Sequence, residues 1–315
     1  MKNNYLLNML RMLLVPIFLF VAFITNAQKA KLFSTTDFDL TGKVKTCLVI
    51  TDYGKEEFSF NEEGILTKLL TRYNDSDYDI TYYKFSNGEI SEKRVENYRD
   101  GQFDKNTSIA NIYVTDSTDS GIVITEKIIS YAKEFLDQYE YTYNKQGELT
   151  AILRNYDDGI DNTLVSYEEV NGEKTTTYTL DGEIQKTIRI SERITKSGNK
   201  HRVELTKDYI SGKPYKAVEH IYNHQDKLIS ETNFEFNEKS KSFTSKEVKT
   251  YTYNKIGMLT TLTSKQKGKL ETVKSYIYQY DDGEKGNWIK QIITPDNSYI
   301  TRKITYYNSN INNDK

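Results

Sequence analysis

The fold of this chain is decided by the phrase Tyr141-Thr142-Tyr143-Asn144-Lys145-Gln146-Gly147-Glu148-Leu149, in which rings alternate with polar residues before a turn. Period-two alternation places its two tyrosines on one face of a β-strand. Its asparagine is expected to end the strand by bonding to the backbone, and its glycine to adopt a positive φ that lets the chain reverse. Its leucine then faces the rings from the next strand. The phrase therefore predicts an antiparallel hairpin.

The same phrase recurs at three other places in the sequence. Phe58–Leu66 is a copy with phenylalanine for tyrosine, Tyr251–Leu259 is nearly identical, and Ile221–Leu228 carries Asp226 in the glycine position. Aspartate tolerates a positive φ better than most residues, so this last copy is weakened but not broken. In the sharp copies the repeat-motif residues are Phe58, Phe60, Asn61 and Gly64; Tyr141, Tyr143, Asn144, Gly147 and Leu149; and Tyr251, Tyr253, Asn254, Gly257 and Leu259.

The intervals between the copies hold tight-turn signals such as Asn87-Gly88 and Asp181-Gly182, and helical periodicity is nearly absent. We therefore predict an all-β fold, an antiparallel meander of repeated hairpins. About 20 strands are more than an open twisted sheet usually holds, so a long curled or spiral sheet is expected. The lysine-rich segment Ser242–Lys249 is expected at an exposed edge. Thr125–Tyr139 fits a helix or a strand equally.

The phrase resembles the YD (tyrosine-aspartate) repeat of Rhs-type and wall-associated proteins, in which asparagine commonly replaces aspartate. The stretch Tyr276–Trp288 is similar to the Y-x-Y-D-x-x-G-N-W phrase of secreted relatives in Bacteroidota. The resemblance covers Phe58–Lys290 and implies an all-β meander that coils into a shell or spiral. Large members of the family enclose or carry a toxin domain, but this chain has far fewer repeats, so toxin delivery is not expected. The matching residues of the second stretch are Tyr278, Tyr280, Gly286 and Trp288.

Residues 1–27 have the three-part pattern of a secretory signal peptide. A basic start precedes the apolar run Met12–Ile24, and cleavage is expected between Ala27 and Gln28. An uncleaved membrane anchor is the weaker alternative, because the 13-residue run spans about 20 Å of a hydrocarbon core that is roughly 30 Å thick. We therefore predict an exported protein, periplasmic or extracellular. Residues 28–315 are expected to form a single domain with no stable membrane span.

Composition excludes several classes of protein. The 43 basic and 45 acidic side chains nearly cancel, which argues against a nucleic-acid binder. The single cysteine, Cys47, leaves no disulfide framework and no cysteine-based zinc cluster. The acidic run Asp75–Asp79 lacks the glycine and glutamate of a calcium loop, and His220 and His224 do not share a helical face. We predict no catalytic residue, no metal site and no cofactor.

The sequence leaves the partner and its binding residues unknown. Our leading hypothesis is an exported, non-enzymatic β-repeat scaffold that presents a protein- or glycan-binding surface. One alternative is a glycan-binding module in which exposed tyrosine rings form the platform. Another is a secreted hydrolase whose carboxylates meet only in three dimensions. A flat exposed row of tyrosines favours glycan binding, whereas a cleft with two carboxyl groups about 5 to 10 Å apart favours hydrolysis.

Overall fold

The computed structural model describes residues 31–132, 134–282 and 286–307. The predicted signal peptide, residues 1–27, lies outside these ranges. One short 3-10 helix, Thr35–Phe38, precedes the strands. The first ten strands are β1 (Val44–Thr51), β2 (Gly54–Phe60), β3 (Leu66–Arg72), β4 (Tyr78–Ser86), β5 (Glu89–Arg99), β6 (Gln102–Thr118), β7 (Gly121–Ser130), β8 (Phe135–Asn144), β9 (Leu149–Tyr156) and β10 (Gly159–Val170).

The second half of the chain continues this pattern of strands and short turns. Tyrosine, threonine, isoleucine and valine alternate in it with charged residues, which suits a pleated, half-buried surface. Its strands are β11 (Glu173–Leu180), β12 (Glu183–Ile194), β13 (Lys200–Ile210), β14 (Lys213–Tyr222), β15 (Leu228–Asn237), β16 (Ser242–Tyr253), β17 (Leu259–Gln266), β18 (Thr272–Tyr280), β19 (Trp288–Thr294) and β20 (Ser298–Tyr306).

The strands form one antiparallel sheet that closes on itself. Each strand pairs with its neighbour in sequence, and β1 pairs with both β2 and β20. At this seam Cys47 lies opposite Phe58 on one side and Ile304 on the other. The predicted antiparallel meander is confirmed, but the predicted open, curled or spiral sheet is wrong, because the sheet is a barrel. Closure is favoured since it leaves no edge strand with unpaired backbone groups.

The strand pairing also decides two local predictions. Of Thr125–Tyr139, which fitted a helix or a strand, residues 125–130 belong to β7 and residues 135–139 to β8. Ser242–Lys249 lies in β16 between β15 and β17, so the prediction of an exposed edge is wrong. The lysines of β16 instead face glutamates of β15, and Lys249 Nζ lies 2.8 Å from Glu231 Oε1. Cross-strand charge pairing therefore accounts for lysines within an interior strand.

The asparagine turns lie together at one end of the barrel. They follow β2, β8, β14 and β16, and the even-numbered strands of an up-and-down meander all end on the same side. Asn144 Oδ1 accepts hydrogen bonds from the backbone N–H groups of Gln146 (3.0 Å) and Glu148 (2.9 Å). Gly147 has a φ of +78°, and Asp226 takes the corresponding position in its copy with a φ of +55°. The equivalent asparagines are Asn61, Asn223 and Asn254.

Residues 31–43 cross the inside of the barrel at this end. Phe38 packs against Phe58 of β2, with ring centroids 4.5 Å apart, and its carbonyl accepts a hydrogen bond from Arg302 of β20 at 3.0 Å. The start of the segment lines a cavity with Ile124 of β7. The eight residues 31–38 span at most about 28 Å. The path along the sheet from β7 through β1 to β20 is longer, about 34 Å. The segment therefore lies on the concave side, and Phe58 and Arg302 mark the inner face.

Two clusters of buried apolar side chains lie on the inner face. Elsewhere on this face, side chains such as Ile188, Leu262 and Ile293 are partly exposed. A closed sheet of more than about 16 strands is too wide for its own side chains to fill. Between the clusters the inner face therefore carries side chains that are only partly covered. Cluster one consists of Leu40, Val44, Cys47, Phe58, Phe60 and Leu66, and cluster two of Ile124, Tyr143, Leu149 and Val165.

Candidate functional site: the inner tyrosine wall

The tyrosines of the repeat phrases face the interior of the barrel. Tyr143 lies opposite Leu149 and is buried in cluster two, with 1% of its surface exposed. Tyr253 lies opposite Leu259 and donates a hydrogen bond to the Leu228 carbonyl at 2.6 Å. The rings thus form a wall on the inner face of the barrel. We use the name inner tyrosine wall for Tyr141, Tyr143, Tyr222, Tyr251, Tyr253, Tyr276, Tyr278 and Tyr280.

The turn between β18 and β19 fastens the N-terminal segment to this wall. Trp288 is 6% exposed, lies 3.5 Å from the Arg302 guanidinium and meets the Tyr278 ring edge-on at 5.9 Å. Asn287 Oδ1 accepts a hydrogen bond from the Thr41 N–H at 2.7 Å, and Asn287 Nδ2 donates to the Thr41 carbonyl at 2.9 Å. A side chain at Gly286 would strike the backbone of the same turn. Gly286 and Trp288 therefore occupy structural positions.

Glu231 of β15 has polar partners on three strands of the inner face. Its carboxylate accepts hydrogen bonds from Lys249 Nζ (2.8 Å), Asn233 Nδ2 (3.0 Å) and Tyr251 Oη (3.4 Å). His220 Nε2 lies 3.7 Å from the same carboxylate. We call these five residues the Glu231 centre. They come from β14, β15 and β16, so the strand register alone brings them together.

On the inner face of β13 to β16, carboxylates lie beside basic side chains. We call these residues the row. The nearby His220, above all, and the hydrogen bond from Lys249 lower the pKa of Glu231 to about 2, although burial opposes the shift. Burial alone would lower the pKa of Lys249, but its bond to Glu231 raises it. Glu204, opposite His220 on β13, is 4% exposed, and burial raises its pKa despite Arg202 at 3.3 Å. The row thus contains one firmly ionised carboxylate and one carboxyl that protonates readily.

The low pKa of Glu231 makes the stability of the barrel depend on pH. A depressed pKa stabilises the fold at pH values above the ordinary 4.5, and this contribution is lost as the pH falls toward 2. We expect Glu231→Gln to lower the free energy of unfolding by about 2 to 3 kcal/mol at pH 7. The difference from the unsubstituted protein should shrink as the pH approaches 2. Urea unfolding at several pH values measures it, and a difference independent of pH would contradict the prediction.

A second carboxylate centre lies on β7 in the first half of the chain. Glu126 accepts hydrogen bonds from Asn111 Nδ2 (2.7 Å), Tyr113 Oη (2.8 Å) and Tyr141 Oη (3.0 Å). Tyr139 lies directly opposite Glu126 on β8. Burial, above all, and the Glu126 charge raise the pKa of Tyr113 and of Tyr141, so both hydroxyls stay protonated donors. We call Glu126 with Asn111, Tyr113 and Tyr141 the Glu126 centre.

A cavity of about 380 Å³ adjoins the Glu126 centre. Tyr113 belongs to both, since it lines the cavity and donates its hydroxyl to Glu126. The volume falls within the range of small-molecule sites. The Glu126 centre is therefore reached from an existing space. The other lining residues are Lys31, Leu32, Asn87, Gly88, Glu89, Ile90, Thr115 and Ile124.

The outer face of β4, β5 and β6 carries an aromatic stack. Tyr78 and Tyr98 stack with centroids 4.6 Å apart and 12° between their planes. Arg72 lies 4.9 Å over Tyr78, Phe103 packs 5.6 Å from Tyr98, and Tyr131 meets Phe103 edge-on at 4.9 Å. These rings are engaged with one another, so their faces are not presented together to solvent. The stack joins β4, β5 and β6 and serves the fold.

The remaining candidate groups from the sequence do not come together as sites. His220 faces the inner wall, whereas His224 is exposed in the turn after β14. Asp75–Asp79 forms a turn closed by internal hydrogen bonds. Cys47 is buried in cluster one, and burial raises the pKa of its thiol. In the described ranges no group of three or more His, Cys, Asp and Glu side chains could hold a metal ion. No helix in that part of the chain is both long and apolar enough to cross a membrane.

Sequence reasoning missed both carboxylate centres. A signal was present in β7, where Glu126 shares one face with Ile122, Ile124 and Ile128. A glutamate among isoleucines on one face of a strand indicates a carboxylate with partners, because an isolated buried charge is costly. The partners on β6 and β8 depend on strand register, which the sequence does not specify without the closed sheet.

Comparisons with known proteins do not assign the chain to a family. A scan against protein-family models gives no match, and a search of curated proteins gives none either. The resemblance to YD repeats therefore stays a prediction that rests on the repeat phrases alone.

Proposed function

We propose that this chain is an exported, non-enzymatic scaffold that binds a glycan on the inner tyrosine wall. The observation that carries the proposal is the Glu231 centre, in which a carboxylate and an ammonium are matched beside the half-buried ring of Tyr251. The signal-peptide pattern of residues 1–27 supports export. The repeat phrases support a scaffold role related to the YD-repeat proteins.

The chemistry of the wall favours a polar ligand without net charge. Lys249 balances the charge of Glu231, and Arg202 lies beside Glu204. At these two pairs the strands offer hydrogen bonds in which the carboxylate charge is matched by a cation. Hydrogen bonds to ionised groups are the stronger ones, and the ring of Tyr251 adds an apolar face beside them. A glycan presents hydroxyl groups and apolar C–H faces in alternation, which matches this combination.

Binding of neutral oligosaccharides to the purified protein tests the proposal. An array of linear neutral oligosaccharides identifies the strongest binder, and calorimetry then measures its Kd. We expect Glu231→Gln to weaken binding about 10- to 100-fold, because hydrogen bonds to charged groups contribute about 1.5 to 3 kcal/mol. Tyr251→Phe should weaken it less, since one hydroxyl is lost and the ring is kept.

Glu219→Gln is the matched control. Glu219 lies on β14 next to His220 in sequence but on the outer face, where it pairs with Arg193 at 3.3 Å. This variant should bind within twofold of the unsubstituted protein, and circular dichroism should show that all variants are folded. The proposal is overturned if no neutral oligosaccharide binds, or if Glu219→Gln abolishes binding while Glu231→Gln retains it.

A hydrolase is the second candidate, and the opposite pKa shifts of Glu204 and Glu231 favour it. One carboxyl that protonates readily and one that stays ionised are the acid and base that glycoside hydrolysis requires. The two glutamates lie on either side of His220, on β13 and β15. We expect binding without turnover. Release of reducing ends that is lost in both Glu204→Gln and Glu231→Gln would replace the scaffold proposal with the hydrolase.

A further inference from the structure

The Glu126 and Glu231 centres are two versions of one arrangement. In each, a glutamate on an odd-numbered strand accepts hydrogen bonds from an asparagine amide and from the first tyrosine of a repeat phrase. That tyrosine is Tyr141 in one centre and Tyr251 in the other. Each of them lies two residues beyond the residue directly opposite its glutamate. The two centres can therefore be compared at the tyrosine and at the residue opposite the glutamate.

The centres differ in the residue directly opposite the glutamate. Glu231 faces Lys249, whose ammonium lies 2.8 Å from the carboxylate. Glu126 faces Tyr139. Within the described ranges, the hydrogen bonds that Glu126 accepts come from an amide and two phenols, all of them neutral donors. The Glu126 centre thus has the carboxylate charge of its counterpart without the matching cation.

Two basic side chains on nearby strands, Arg154 and Lys93, form no ion pair with Glu126 among the described residues. Arg154 lies 5.6 Å over the Tyr139 ring, but its guanidinium is bound to Asp137 through two hydrogen bonds of 3.0 and 3.1 Å. Lys93 lies two strands away on β5, opposite Asn111. The position beside Glu126 that corresponds to the Lys249 ammonium is bordered instead by aromatic rings.

We propose that the Glu126 centre binds an organic ammonium group, in the position that the Lys249 ammonium occupies in the Glu231 centre. The carboxylate supplies the opposite charge. Tyr141, nearly parallel to Tyr139 with ring centroids 6.1 Å apart, supplies the ring for a cation–π contact, because Arg154 already lies over the Tyr139 ring. Glu126 and both rings are half-buried, and the adjoining cavity leaves room for the rest of the ligand. This inference does not depend on glycan binding at the Glu231 centre.

Calorimetric titration of the purified protein with choline, glucosamine and N-acetylglucosamine tests the inference. Choline carries a methylated ammonium and glucosamine a primary one, whereas acetylation removes the charge from the third compound. We expect at least one of the charged compounds to bind at least 10-fold more tightly than N-acetylglucosamine, and added salt to weaken that binding. Glu126→Gln should lower its affinity at least 10-fold. The ratio of choline to glucosamine binding separates a methylated ligand from an amino sugar.

Tyr139→Lys gives the Glu126 centre the residue that the Glu231 centre already has. The ammonium of the introduced lysine should lie beside Glu126 and abolish choline and glucosamine binding. The thermal midpoint of unfolding should be unchanged or higher. Glu140→Gln, next in sequence but on the outer face, is the control and should bind normally. Failure of both charged compounds to bind rules the site out, as does equal binding of the acetylated sugar or unchanged binding in Glu126→Gln. Choline contains no sugar, so these outcomes are separate from those of the glycan proposal.

Discussion

Replacing Gly121 by alanine is expected to lower the free energy of unfolding by about 3 to 5 kcal/mol. Gly121 begins β7 opposite Asn144 of β8, with a φ of +151°. A β-carbon at this position would overlap the carbonyl oxygen of Tyr143. The two backbones would have to separate, and Tyr143, which anchors cluster two, would move with them. Urea unfolding followed by circular dichroism measures the loss.

Gly147→Ala is the matched control for this effect. Gly147 also has a positive φ, +78°, but a β-carbon there would meet nothing within 4 Å. Gly147→Ala should therefore lower the free energy of unfolding only by the strain of an alanine at positive φ, about 1 to 2 kcal/mol. Similar losses in the two variants would show that the close approach of Gly121 to β8 contributes nothing.

Phe58→Ala is expected to lower the free energy of unfolding by about 3 to 5 kcal/mol. The pairing of β1 with β20, the seam of the barrel, should open more readily than the rest of the sheet. Phe58 is 6% exposed, lies opposite Cys47 of β1, and contacts the Phe38 ring of the N-terminal segment. Its removal leaves a cavity in cluster one between that segment and the seam strands. Hydrogen exchange should therefore accelerate more in β1 and β20 than in β7 to β9, whose cluster two shares no residue with cluster one.

The comparison with Tyr82→Ala separates a core effect from the loss of any ring. Tyr82 is a half-buried ring of the outer face, with Lys68 Nζ 5.7 Å from its centroid. Its replacement should cost no more than about 1.5 kcal/mol and leave exchange at the seam unchanged. Equal acceleration in all strands of Phe58→Ala would mean that the barrel opens only as a whole.

The strands and hairpins could be predicted from the sequence because their causes are local. Alternating rings define a strand, and the hydrogen bonds of Asn144 define the turn that ends it. The same physics also operates where the phrase is absent. After β12, Thr195 Oγ1 accepts a hydrogen bond from the Asn199 N–H at 3.0 Å, and Gly198 N–H bonds to the Thr195 carbonyl. A search for asparagine misses this turn, since the position requires a side-chain oxygen and not a particular residue.

Closure and the carboxylate centres could not be predicted, because both depend on contacts between distant parts of the chain. Nothing near Cys47 or Ile304 distinguishes a seam from two free edges, yet their pairing closes the sheet. Alternation shows that Tyr251 and Tyr253 share a face, but not that this face looks inward. Whether these tyrosines form an exposed platform or an inner wall is therefore determined by the closure of the sheet into a barrel. The partners of Glu126 and Glu231 follow from the same register.

The seam also sets the order in which the molecule can be completed. Thr46 and Thr305, whose hydroxyl groups meet across it at 2.6 Å, are 259 residues apart. Joining them restricts almost the whole polypeptide at once, and pairings of such long range are slow to form. Until the hairpin of β19 and β20 pairs with β1, the backbone N–H and C=O groups along that edge of β1 have no partner strand and can pair with another polypeptide. A partly folded molecule therefore has one unpaired edge strand, β1, that can pair with another chain. Two such molecules that exchange their last hairpins would form a domain-swapped dimer.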